Sequence, residues 1–247
     1  MNKLFYLYGI IDSAESFTLT LPEAGREIFN LADNGLGMVV SRAGGWEAGL
    51  LSENLYAHNA VMEYLLEHYT VLPVRYGTIV AGEKEITDLI NCYGGEFKRQ
   101  LHRFRGKVEM GVKVLWNIEQ EQKEYRESET SGVSIIQEPG SGSPGHRYLL
   151  NKYREKAPQM QLRRKAEQAA ALIHNPLAAR SEEACRSILR TPALMFSGAY
   201  LLDRRNVDGF RAEYQHLKKN LPKYKFLLSG PWPAFSFANI NCMAGSE

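Results

Sequence analysis

The sequence feature that most constrains the fold lies between positions 107 and 116, where every even position is apolar and every odd position except Leu115 is charged or glycine. Successive side chains of a strand point to opposite faces, so this alternation predicts a strand with one buried and one solvated face. Such a strand is typical of an antiparallel sheet with helices on its apolar side. The apolar positions are Val108, Met110, Val112, Val114 and Trp116, and the residues between them include Lys107, Glu109, Gly111 and Lys113.

The residues after this strand predict a ferredoxin-like order. An acidic helix is expected first, then a helical segment, two strands, a helix and a last strand. Counted from Lys107, the order is β-α-β-β-α-β. The predicted elements are helices over 119–129 and 147–173 (interrupted at Pro158), strands over 184–190 and 193–202, a helix capped by Asn206 and ended by Pro222, and a strand over 224–228.

The first hundred residues predict a second unit of the same class. Leu4 to Ile11 is apolar on both faces and indicates a central strand. Two short strands over 26–31 and 36–41, around the turn at 32–35, predict a hairpin. The predicted order is β-β-β-α-β-α, with helices on one face of a small antiparallel sheet. The sequence therefore predicts an α+β fold of two packed ferredoxin-like α/β units with mostly antiparallel sheets. The predicted domains are 1–106 and 107–247; the second carries the acidic helix, a Gly/Pro loop near 138–145 and an aromatic C-terminal tail.

The composition of the chain argues against several classes of function. The chain has 247 residues, 44% of them hydrophobic and 23% charged, which is ordinary for a globular protein. A net charge of +2 creates no field that would attract nucleic acid. The three cysteines have no metal-ligand or redox spacing, which is typical of reduced thiols in the cytoplasm. No signal peptide is predicted, since the N-terminus lacks a long apolar stretch followed by a small-residue cleavage site. No membrane span is predicted, since the apolar stretch over 193–202 is too short.

The candidate catalytic motifs are incomplete. Gly140 and Gly145 have the separation of a phosphate-binding P-loop, but His146 and Arg147 stand where Lys and Ser or Thr are required. His58 and His68 are nearly three helical turns apart, too far to share a metal ion, and are expected to be structural or surface residues. We therefore predict no catalytic residues, no metal site and no cofactor.

A basic run and an acidic run lie close together in the sequence. The basic residues between 147 and 165 offer a surface for an anionic partner, and acidic residues occupy much of 119–129. Pairing between the two runs, or simple solvation, is the favoured interpretation, with an acidic protein partner as the alternative.

Four segments, spread along the chain, carry a family resemblance. Tyr56 to Ile79 reads YAHNAVMEYLLEHYTVLPVRYGTI and Leu228 to Phe237 reads LSGPWPAFSF. With LFYLYGI at 4–10 and SPGHRYL at 143–149, they resemble the GvpL/GvpF family of gas vesicle accessory proteins.

This resemblance implies a non-enzymatic accessory protein for gas vesicle assembly, found in the gas vesicle and the cytoplasm. It would aid nucleation of the shell, prevent aggregation of the shell protein, or stay in the vesicle as a minor component. The implied partner is the hydrophobic shell protein GvpA, with other gas vesicle accessory proteins as further partners. No nucleic acid and no membrane are implied. The alternative function is an unrecognised nucleotide-binding or hydrolytic enzyme.

Two segments are the candidates for partner binding. Pro73 lacks the N–H that a central strand donates, so 71–76 is predicted to lie at a sheet edge and to dock a partner strand. The prolines of 229–237 predict an extended tail with two phenylalanines on one side, either docked on the protein's own core or open to a partner. The predicted partner-binding residues are Val74, Arg75, Tyr76, Trp232, Phe235 and Phe237.

Overall fold

The computed structural model describes residues 4–22, 25–44, 52–131 and 144–240. These residues form two sheets and the helices that cover them, so the predicted α+β class is confirmed. Contacts divide the chain into two compact units. Unit 1 comprises 1–110, 201–205 and 230–247, and unit 2 comprises 111–200 and 206–229. The last residues thus belong with unit 1, while the predicted domain boundary near residue 106 stays a prediction.

Unit 1 contains a six-stranded sheet with the order β2-β3-β4-β1-β5, in which β6 also pairs with β1. Strand β1 pairs antiparallel with β4, β5 and β6, and β3 pairs antiparallel with β2 and β4. The predicted hairpin is present, and Asn34 and Gly35 have the positive φ angles that a tight hairpin turn requires. The strands are β1 (Leu4–Ile11), β2 (Phe17–Leu21), β3 (Arg26–Asp33), β4 (Leu36–Arg42), β5 (Val71–Pro73) and β6 (Ile79–Ala81).

The two helices of unit 1, α1 (Ser52–His68) and α2 (Gly82–Phe104), pack on opposite faces of this sheet. Tyr6 and Tyr8 share a core with α1, while Phe5 and Leu7 share one with α2. The prediction that the helices cover one face is therefore wrong for this unit. It failed because β1 is apolar on both sides, and each side needs a helix to bury it.

The second sheet has the order β10-β7-β9-β8, and its elements follow the predicted β-α-β-β-α-β order with two helices between the first two strands. In β7 the apolar positions are buried as predicted, but Glu109 is buried too. The strands are β7 (Lys107–Leu115), β8 (Glu183–Ile188), β9 (Leu194–Asp203) and β10 (Lys225–Trp232), and the helices are α3 (Ile118–Ser131), α4 (Pro144–Ala178) and α5 (Val207–Asn220).

Helix α4 runs through Pro158 without the predicted interruption. A proline inside a helix costs about 3 kcal/mol, and here apolar packing further along the helix opposes that cost. Ala166, Ala170 and Ile173 are fully buried in α4. Within the described part of the chain, no helix combines the length and the apolar character needed to cross a membrane.

Candidate partner-binding surface

The predicted docking segment lies at an edge of the unit 1 sheet, because β5 is the last strand in the sheet order. Its apolar side chains, however, face inward. Val74 is only 2% exposed and belongs to the core on the α2 side, so it has no surface to offer a partner. Arg75 is exposed and Tyr76 is half-buried. Of the three partner-binding residues predicted in this segment, only Arg75 and Tyr76 are accessible to a partner.

A tight turn connects β5 to β6 and presents these two residues. The carbonyl oxygen of Arg75 accepts hydrogen bonds from the Thr78 amide at 3.2 Å and from the Thr78 hydroxyl at 2.6 Å. Gly77 has φ of +87°, a conformation that residues with a side chain rarely adopt. We call residues 74–78 the edge turn. Its internal hydrogen bonds give it a defined shape before any partner binds.

A buried aromatic cluster supports the edge turn from below. The ring of Tyr76 lies edge-to-face against Tyr6 and His58, at centroid distances of 6.2 and 5.2 Å. The Gly77 amide donates to the Tyr6 hydroxyl at 3.2 Å, and that hydroxyl lies 2.9 Å from Nδ1 of His58.

Burial fixes the protonation of this cluster. It raises the pKa of Tyr6 and lowers the pKa of His58 to about 4, so the imidazole is neutral and the phenol is protonated at pH 7. The Tyr6 hydroxyl and Nδ1 of the neutral His58 share a hydrogen bond, and the tautomer of the imidazole sets which of the two donates. This buried His58 fits the predicted structural role, and His68, also predicted to be structural or on the surface, is exposed.

Exposed apolar side chains next to the edge turn were missed in the sequence. Ile79 of β6 pairs with Tyr6, and Leu4 lies two residues before Tyr6, so both lie on the α1 face of the sheet. Both are exposed, at 41% and 49%. We call these two residues the apolar corner. A strand that is apolar on both faces is expected to be buried along its whole length, and nothing in the sequence indicated that Leu4 would be exposed.

The C-terminal tail does not follow the predicted extended path. β10 continues to Trp232, and after it the chain turns, with the Ala234 carbonyl accepting from the amides of Phe237 and Ala238. The turn separates the two phenylalanines. Phe237 packs against the core on the α2 side, whereas Phe235 is exposed and Trp232 is half-buried.

Polar contacts also hold the tail to unit 1. The amide and the hydroxyl of Ser236 both donate to the carboxylate of Glu109, each at 2.7 Å. Gln100 of α2 donates to the Asn239 carbonyl at 2.6 Å and accepts from the Asn239 amide at 2.9 Å. These contacts agree with the interpretation in which the tail docks on the protein's own core.

In unit 2, one residue of the basic run, Lys165, pairs with two residues of the acidic run, in agreement with the favoured interpretation. Glu121 is 1% exposed, and its carboxylate forms ion pairs with Lys165 and with Lys223, the latter at 2.6 Å. Glu124 pairs with the same two lysines at 2.9 and 3.0 Å. Lys223 was not part of the predicted pairing because it lies about a hundred residues from α3 in the sequence.

The remaining candidate motifs contribute no site to the described structure. Residues 138–143 of the Gly/Pro loop lie outside the described residues, and Pro144 and Gly145 begin α4. In the described ranges, no three His, Cys, Asp or Glu side chains are grouped so that they could hold a metal ion.

Comparison with known proteins gives the family. The model of the gas vesicle synthesis protein GvpL/GvpF family matches residues 4–239. The chain belongs to this family. It is 22% identical over 251 residues to gas vesicle protein F1 of Halobacterium salinarum, covering all of this chain and 98% of that protein. It is 28% identical over 203 residues to gas vesicle protein L of a Streptomyces species, covering 77% of this chain and 70% of the relative.

Solved structures of the same family have the same fold. The crystal structure of GvpF from Anabaena superposes with a TM-score of 0.78 at 19% identity, over 96% of this chain and 99% of that one. GvpF from Microcystis aeruginosa gives a TM-score of 0.77 at 16% identity, with the same coverage. The family and the mixed helix and antiparallel-sheet architecture predicted from the sequence are thereby confirmed.

Proposed function

We propose that this member of the GvpL/GvpF family acts without catalysis, by binding the gas vesicle shell protein GvpA before and during shell assembly. The observation that carries the proposal is the edge of the unit 1 sheet that β5 and β6 form in the described residues. There the structured edge turn, with exposed Arg75, lies beside the apolar corner of Leu4 and Ile79. Family membership supplies the gas vesicle context.

The physical task suits such an edge. A subunit that builds a wall against liquid water exposes apolar surface before assembly, and free apolar surface leads to aggregation. A sheet edge offers backbone hydrogen bonds to an added strand, and neighbouring apolar side chains cover part of its surface. The protein would act in the cytoplasm and at the growing vesicle, beside other accessory proteins.

Charge reversal at the edge turn tests the proposal. In co-purification with GvpA, Arg75→Glu combined with Ile79→Asp is expected to reduce the captured GvpA at least about tenfold, since it places two charges on the docking edge. The matched control is Lys98→Glu, a charge reversal on an exposed residue of α2, which covers the other face of the sheet.

Thermal unfolding of each variant shows whether the fold is kept. If the folded double variant captures as much GvpA as the wild type, the edge is not the docking site. If the wild-type protein neither captures GvpA nor slows its aggregation in a light-scattering assay, the proposed function is wrong.

A further inference from the structure

A surface groove in unit 1, distinct from the edge turn, has one apolar side that contains a tryptophan and one acidic side. Its volume is about 290 Å³, and it lies between α1 and the end of β10. The lining residues are Glu63, Leu66, Glu67, Arg204, Gly230, Pro231 and Trp232. We call it the α1–β10 groove.

The helix α1 provides the acidic side of the groove. Glu63 and Glu67 are one helical turn apart, so they project from the same face with Leu66 beside them. Both glutamates are exposed. Among the residues that the structure describes, neither carboxylate has an ion-pair or hydrogen-bond partner. Two such carboxylates beside apolar side chains create a local negative potential.

Arg204 lines the groove but does not neutralise it. Its guanidinium donates to the carbonyl oxygen of Leu66, in the last turn of α1, and its own amide donates to the Gly106 carbonyl at 2.9 Å. A helix leaves its last carbonyls without internal partners, and Arg204 satisfies one of them. Its position is therefore explained by the fold, and the groove keeps an excess of one negative charge.

Trp232 and Pro231 provide the apolar side. Trp232 is half-buried and ends β10, while Pro231 is exposed. A half-buried tryptophan at the wall of a groove is the residue type that most often dominates the energy of a protein interface. The volume lies at the bottom of the range for small-molecule sites, about 300 to 1,000 Å³, and suits a few side chains of a peptide better.

We propose that the α1–β10 groove binds a cationic amphipathic segment of the shell protein, with an apolar side chain against Trp232 and a Lys or Arg between Glu63 and Glu67. Charge complementarity selects this occupant, because phosphate-bearing partners such as nucleic acids and anionic lipids are repelled by the two carboxylates. The inference rests on the proposed function and adds a second contact on the same unit.

The probe is a set of overlapping synthetic peptides that span the GvpA sequence of the same organism, with binding measured by fluorescence anisotropy. The peptides expected to bind carry Lys or Arg within one helical turn of Leu, Ile or Val. Trp232→Ala is expected to weaken their binding about 30-fold or more, as for a central aromatic residue of an interface. Glu63→Lys with Glu67→Lys is expected to weaken it about tenfold, and higher salt should reduce this second effect.

A matched double reversal, Glu27→Lys with Asp88→Lys, changes the same net charge at exposed carboxylates elsewhere in unit 1 and should leave peptide binding unchanged. Equal loss in both double variants would show a general charge effect and overturn the groove assignment. A peptide that binds the wild type and all the variants equally would also overturn the groove assignment. That result would not contradict the proposed function.

Sedimentation of the wild type and Trp232→Ala tests another occupant. Conversion of a dimer to a monomer by the substitution would show that a second copy of this chain fills the groove, and would overturn the inference. If neither the peptides nor whole GvpA bind the wild type, the proposed function fails first and the inference fails with it.

Discussion

Two buried glutamates, one in each unit, are held in opposite ways. The hydrogen bonds that the structure describes for Glu109 come from the neutral amide and hydroxyl of Ser236. Glu121 instead lies between the ammonium groups of Lys165 and Lys223. The first arrangement fixes a tail to a sheet, and the second joins two helices and a loop. A buried acid is therefore compatible with either kind of partner, but its response to pH depends on which one it has.

The pKa shifts follow from these partners. Burial raises the pKa of Glu109, although the hydrogen bonds from Ser236 oppose that shift. Hydrogen bonds from Lys165 and Lys223 lower the pKa of Glu124, the neighbour of Glu121 in this cluster, to about 2. A raised carboxyl pKa favours the folded state at low pH, and a lowered one favours it at higher pH. The two units should respond to acid with opposite signs at these residues.

The largest effect is expected from Glu121→Gln. The substitution keeps the shape of the side chain but removes the charge that faces two lysines, so the free energy of unfolding should fall by about 2 kcal/mol. Urea denaturation followed by circular dichroism measures it. Glu119→Gln, an exposed carboxyl in the same helix, is the control and should change stability by less than about 0.5 kcal/mol. Equal effects in the two variants would show that the ion cluster contributes little.

The tail offers a matched pair of phenylalanines. Phe237→Ala should lower the free energy of unfolding by about 1.5 kcal/mol, because a side chain packed on the core is removed. Phe235→Ala should cost less than about 0.5 kcal/mol, since this ring is 40% exposed. Thermal melts of both variants decide the point. If the order is reversed, the tail is not held by apolar packing, and Glu109 with Ser236 would be its main attachment.

Glu109→Gln sharpens the comparison through pH. The raised pKa means that the wild type loses stability as pH rises from about 4.5 through the folded-state pKa, and glutamine has no proton to lose. The stability of the variant relative to that of the wild type should therefore increase from pH 4 to pH 8. Melting temperatures over that range measure the difference. A constant difference would mean that the carboxyl titrates alike in the folded and unfolded states.

Glu124→Gln should show the smallest effect and the opposite sign. The lowered pKa stabilises the wild type above pH 4.5, and this contribution is lost as pH falls toward 2. The advantage of the wild type over the variant should be seen at pH 6 and shrink by pH 3, as measured by urea denaturation at both values. Added salt should reduce it, because the side chain is partly exposed.

Sequence periodicity was sufficient for most elements. The alternation in β7 and the hairpin turn at Asn34 and Gly35 are local signals, and both elements were found where they were predicted. Two short edge strands, β2 and β6, were not predicted, since three to five residues give too little pattern. The predicted interruption at Pro158 was wrong because the cost of one proline is local, while the packing that outweighs it is distributed along α4.

The candidate site was only partly accessible from the sequence. Residue type and a nearby proline placed Arg75 and Tyr76 correctly at a sheet edge. The same reasoning could not tell that Val74 would be buried or that a turn would separate Phe235 from Phe237. The acidic groove was not found at all, because its two sides, α1 and the end of β10, are more than 150 residues apart in the chain.

The sequence by itself determined the family, the α+β class and the order of the elements other than the short strands β2 and β6, since each depends on local patterns or on motifs spread along the whole chain. Only the tertiary structure decided which polar residues are buried. Glu109 alternates like a solvated residue, yet it becomes buried because Ser236, 127 residues later, supplies two hydrogen-bond donors. Burial of a charged group depends on partners brought near by folding, and no local pattern records them.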